Sequence, residues 1–187
     1  MAVAVEAALE LAGNGVVNFW LTGNHDVIED GSGSSVLEPL KSLVDEVMVC
    51  DRLGPSSYLL DSAMLCFLPF VATCASYDPA KVVEQVAADA DLVARKLVVL
   101  SHLNVQGAAP GSETTDMPRG RDVWLPVEAI DRAHATTGKP ALVLSGHYHQ
   151  AQQLFVGSGF PVHVVGSLAR LRFDEAHNEP SFLLVEV

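Results

Sequence analysis

ALVLSGHYHQ (141–150) joins an apolar run of strand length to a turn of two small residues followed by two imidazoles one residue apart. The run reads as a strand covered on both faces, which ends where Ser145-Gly146 breaks the pattern. The same arrangement occurs twice upstream. FWLTGNHD (19–26) and LVVLSH (97–102) each close an apolar run with a polar turn that carries histidine. Layered sheets gather their sites at the carboxyl ends of strands, where several loops converge. The pattern therefore predicts that Asn24, His25, His102, His147 and His149 meet at one edge of a sheet.

Working outward from these stretches, residues 4–12 are rich in helix formers and stop at Gly13-Asn14-Gly15, so a helix is expected there, followed by a strand over 16–21. A loop over 31–35 leads to a helix expected near 36–46, with Val36, Leu37, Leu40, Leu43 and Val44 on one stripe. Residues 57–70 read as two strands turning at Asp61-Ser62, and a helix near 79–94 begins at Pro79. A strand at 97–100, a long polar loop over 107–121 and a helix near 126–135 follow. Strands at 141–144, 152–156, 161–165 and 181–187 close the chain. Helices alternate with strands early and strands dominate late, which predicts a layered α/β fold in one domain over residues 1–187.

The chain has 187 residues, 49% of them hydrophobic, with 11 Lys+Arg against 23 Asp+Glu and a formal charge of −12. That balance disfavours a broad electrostatic grip on a polyanion by the chain alone, so such a substrate would need cations. The three cysteines, Cys50, Cys66 and Cys74, lie in apolar surroundings without CxxC spacing and read as buried thiols of a reducing compartment. No stretch has the roughly 20 apolar residues of a membrane span. The opening residues carry no Lys or Arg to start a signal peptide, so a cytoplasmic protein without a membrane partner is expected.

Asn24 offers an amide oxygen, and His102, His147 and His149 offer imidazoles, a donor set suited to Mn, Fe or Zn. Two such ions a few ångströms apart can clamp a phosphate for in-line attack. His25, beside a ligand, is placed to protonate a leaving oxygen or stabilise charge on phosphorus. Taken singly, a histidine at a strand end is more often a hydrogen-bonded structural residue, and Gly-Asn-His-Asp can be no more than a turn. It is the combination of three such turns that points to chemistry. His134, His163 and His177 read as ordinary residues of a helix, a strand and a polar loop. Trp20 and Trp124 read as anchors.

In that order, GNHD, a lone histidine after a strand and GHxH resemble the last three motifs of the calcineurin-like metallophosphoesterases. HLNVQGAAPGSE (102–113), GHYHQAQQ (146–153), VVGSLARLRFDE (164–175) and SFLLVEV (181–187) further resemble the nuclease subunit of the Mre11/SbcD DNA-repair exonucleases. The resemblance runs from about residue 4 to the end. It implies a two-sheet sandwich flanked by helices, two Mn ions, DNA as substrate and a Rad50/SbcC-type ATPase as partner, with a homodimer left open. It makes Asn24, His102 and His147 ligands of the second metal, His149 a ligand of the first and His25 the catalytic histidine. Arg170 and Arg172 are candidates for contact with the phosphate backbone or for a structural role.

The resemblance also implies an Asp-x-His and a Gly-Asp-x-x-Asp ahead of GNHD, and neither occurs in this sequence. The expectation is thus an N-terminally truncated form of the family domain, a fragment or displaced start of a longer enzyme. Without an anionic bridge it should hold at most one ion well. A partner that supplies the rest, a degenerate binding module, and a phosphoesterase acting on nucleotides or small phosphoesters remain the alternatives.

Overall fold

The computed structural model describes residues 2–28, 34–71, 77–92, 95–110, 123–137, 141–170 and 175–186. Cys74 and Arg172, and the expected polar loop from residue 111 to 121, lie outside them. Within them the fold is α/β, with a six-stranded mixed sheet, a two-stranded parallel sheet and three α-helices. No helix among the described residues is long and apolar enough to cross a membrane.

Helix α1 (Ala2–Gly13) ends where Asn14 and Gly15 bond back to its last carbonyls and Gly15 takes φ 76°. Strand β1 (Asn18–Leu21) pairs in parallel with β2 (Val47–Cys50). The larger sheet runs β3 (Ser57–Leu59), β4 (Ala63–Leu68), β5 (Lys96–Ser101), β6 (Leu142–Ser145), β8 (Phe160–Val164) and β7 (Gln152–Val156) in spatial order. Its four middle strands are parallel, and β3 and β7 are antiparallel edges. Helices α2 (Pro79–Leu92) and α3 (Val127–Thr137) make the crossovers from β4 to β5 and from β5 to β6, as parallel pairing requires.

Side-chain alternation along β4 sorts the core into layers. Met64, Cys66 and Leu68 face a cluster with Val83 and Val86 of α2 and Ile130 of α3. Ala63, Leu65 and Phe67 face the other way, onto Phe19 and Leu21 of β1. On the far side of the small sheet, Val47 and Val49 pack with Ala8 of α1 and with Leu37 and Leu40. The order is therefore helices, large sheet, small sheet, helix. Every residue of β4 is buried, which accounts for its unbroken apolar run.

Two expected elements are corrected. The helix expected near 36–46 is only a 3-10 turn, Glu38–Ser42, with Pro39 in its first turn; after residues 43–46 the chain enters β2, a strand the pattern did not predict, whose pairing with β1 holds residues 47–50 extended. Leu37 and Leu40 of the expected stripe are buried, whereas Val36 and Val44 are exposed. The strand expected over 181–187 is absent from its described part, 181–186. Both edges of β6 and of β8 are already paired, so this apolar segment finds no ladder there, and Phe182 and Leu184 stay exposed. Cys50 and Cys66 are buried free thiols, as expected, and burial pushes both up to about 12.

The Phe67 ring, 1% exposed, lies 5.1 Å from that of Phe19 and bridges the two sheets. Phe67→Ala should cost about 3–5 kcal/mol, read as a lowered urea midpoint with an unchanged slope.

Candidate metal centre

Register places the candidate residues before any side chain is considered. Leu68 of β4 pairs with Ser101 of β5, and Ser101 with Ser145 of β6, so these strands end level with one another. The next residues are locked across the edge: His102 N–H donates to Leu68 O at 3.0 Å, and Gly146 N–H to Ser101 O at 2.8 Å. The β1 turn joins them through Phe70 N–H, which donates to Thr22 O at 2.9 Å. Within that turn Asp26 Oδ2 accepts from Gly23 N–H at 2.8 Å, so the Asp of GNHD shapes the loop that carries Asn24 and His25.

His102 stands at the centre. Its Nε2 lies 3.0 Å from Asn24 Oδ1, a contact between residues 78 apart in sequence. Its ring centroid is 5.4 Å from that of His147. A Cβ added to Gly23 would come within 2.8 Å of His102 Cε1, and one added to Gly146 within 2.9 Å of its Nδ1. The imidazole is thus clasped between two backbones that approach this closely because neither residue has a side chain. His147 is 5% exposed, with both ring nitrogens buried, and holds left-handed backbone at φ 75°. Tyr148 OH donates to Asn104 Oδ1 at 3.3 Å and accepts from Val105 N–H at 3.4 Å, which braces the β6 turn against the β5 turn.

Burial drives the His102 imidazole down from 6.5 to about 3, and His147, His25 and His149 push the same way. His102 is consequently neutral in the physiological range, the form in which histidine binds metals. The other three histidines lie close enough to act on it electrostatically. His25 is exposed on its turn, whereas His149 is half-buried and its Nδ1 lies 2.5 Å from Oε1 of Glu175, which is 2% exposed.

The donor set fits one ion in part. Asn24 Oδ1 and His102 Nε2 are hydrogen-bonded at 3.0 Å, and two donor atoms each roughly 2.1 Å from an ion stand about that far apart at the right angle of octahedral coordination, closer than the tetrahedral angle would set them. Among the described residues no three His, Cys, Asp or Glu side chains come close enough together to hold an ion by themselves, so the Asn24 amide would have to take part. Arg170 is exposed, and its Nε donates to Asn178 O at 2.7 Å within the turn that carries Glu175. His134 lies on α3 and His163 on β8, as expected. Glu175 was missed: nothing in the sequence separates it from the other acidic residues, and FDE names it only as part of a polar turn.

Beside His102 an apolar cavity of about 450 Å³ opens between the two sheets, lined among others by Phe19, Phe67, Leu100, Leu144 and Val165.

Because His102 has its imidazole lowered on folding, the unfolded chain binds the extra proton between pH 6.5 and about 3. Its contribution to stability is complete above pH 6.5 and is lost as pH falls, at about 1.4 kcal/mol per unit. Urea titrations in metal-free buffer from pH 7 to 4 should show this slope, and His102→Gln should remove that part of it. Gly146→Ala should cost about 1–3 kcal/mol by overpacking against the His102 ring, measured by the same titration at pH 7.

The sequence matches no family model and no curated protein.

Proposed function

We propose that the chain is a calcineurin-like metallophosphoesterase domain of the two-sheet sandwich type, and that its chemistry is metal-dependent hydrolysis of phosphodiesters. The observation that carries this reading is the 3.0 Å approach of Asn24 Oδ1 to His102 Nε2, with His147 stacked edge-on against the same ring. Those three residues come from three different strand ends and would hold one divalent ion, Mn before Fe or Zn. Such an ion, when bound, would polarise a phosphoryl oxygen and activate water for in-line attack.

The chain's own residues supply the rest. His102 is neutral and clasped, and its Nε2–H donates to Asn24 Oδ1 in the metal-free chain, so Nε2 would meet an ion once its single proton is carried on Nδ1 instead. Asp26 holds the turn so that Asn24 faces the sheet edge and His25 faces solvent, where substrate arrives. His25 then donates its proton to the leaving oxygen as the ester bond breaks. His149 would be a ligand of the other ion of the pair that the resemblance implies.

The motif order and the stretches after GHYH favour an Mre11/SbcD-like nuclease subunit, with DNA as substrate and a Rad50/SbcC-type ATPase as partner. A second reading, hydrolysis of small phosphoesters, is favoured by the −12 charge and by the apolar cavity that reaches His102. The third alternative is a binding module that keeps the fold without catalysis.

Calorimetry with Mn should show one ion bound, with affinity lost in Asn24→Ala and His102→Ala. Absence of binding to the wild-type chain would leave the binding module. With Mn present, His25→Asn should keep the ion but lower hydrolysis by about 10²–10⁴-fold. Release from double-stranded DNA should exceed that from bis(p-nitrophenyl) phosphate if the nuclease reading holds, and the reverse supports the small-ester reading.

A further inference from the structure

We propose that Glu175 is the positioning residue of His149, accepting its Nδ1 proton so that Nε2 carries the lone pair presented to the metal centre. The proposal rests on the function assigned above, but its first half concerns the metal-free chain alone. The His149 and Glu175 side chains are 18% and 3% exposed, and their 2.5 Å contact joins residues 26 apart. A carboxylate so deeply buried is costly unless a donor meets it, and the imidazole N–H is such a donor.

The backbones of both partners are held by hydrogen bonds of the segment that runs from Ser167 to Asn178. Ser167 N–H donates to His149 O at 3.1 Å and fixes the backbone on one side. On the other, Asn178 N–H donates to Glu175 O at 2.9 Å, and Arg170 ties the same turn through Asn178 O. The Glu175 carboxylate is thereby brought against Nδ1, and it selects which nitrogen bears the proton. A histidine that donates one N–H to a carboxylate is fixed in tautomer and orientation and is more basic at its other nitrogen, the arrangement that supports metal-binding imidazoles.

The test is residue-specific. In the metal-free wild-type chain at pH 8, long-range proton–nitrogen correlation spectra should show His149 as the Nδ1–H tautomer. Glu175→Gln, which keeps the shape, should yield a mixture of tautomers, and Glu175→Leu should abolish the preference. Added Zn should shift His149 Nε2 in the wild type, and the concentration needed should rise about 10–100-fold in the variants. A proton on Nε2, or on both nitrogens, in the wild type overturns the proposal, as does a tautomer unchanged by both substitutions. If the tautomer behaves as expected while Zn leaves His149 unshifted in the wild type, Glu175 still sets the tautomer, but the half of the proposal that directs Nε2 to the metal centre is overturned and His149 loses its place as a metal ligand.

Discussion

The clasp of Gly23 and Gly146 around the His102 imidazole is the contact on which the rest of the site depends. It brings the β1 turn and the β6 turn to the same ring, and it removes that ring from water so that it stays neutral. The clasp exists only because β4, β5 and β6 end in register and because Phe70 draws the β1 turn to their edge. The sheet sets the backbone, the two glycines set the approach, and the approach sets the protonation state. Each step is a consequence of the one before it.

The two sheets contribute differently. The large sheet is buried on both faces at β4 and supplies the rigid frame, while the small sheet contributes a single turn, the one that carries Asn24. Phe19 and Phe67 couple the two across the cavity. Asn24 thus reaches His102 through packing between layers, and His147 reaches it through the ladder of one sheet. A site assembled this way feels disturbances of the interlayer core as well as of its own loops.

Much of this was legible in the sequence because buried strands and sharp turns leave strong local marks. The runs before Thr22, His102 and Ser145 are apolar on both faces, and each ends in small polar residues, so their ends could be located and their histidines grouped. What was not legible depends on partners far away in the chain. Residues 47–50 form a strand because β1 lies alongside, and the apolar stripe before them had suggested a longer helix. Residues 181–186 have strand-like composition but meet no open edge of β6 or β8. Glu175 acquires significance only when its turn folds back onto His149, and an acidic residue in a polar loop carries no sign of that.

His147 is the one described residue other than glycine with positive φ. An L-residue with a side chain bears a conformational penalty there, of order 1 kcal/mol or more, that glycine would not. The fold would accept glycine at that position more comfortably than it accepts an imidazole. Here the demands of the turn and of the ring contact diverge: the chain is less stable than its own backbone geometry permits, and the difference goes into keeping the His147 ring edge-on against that of His102.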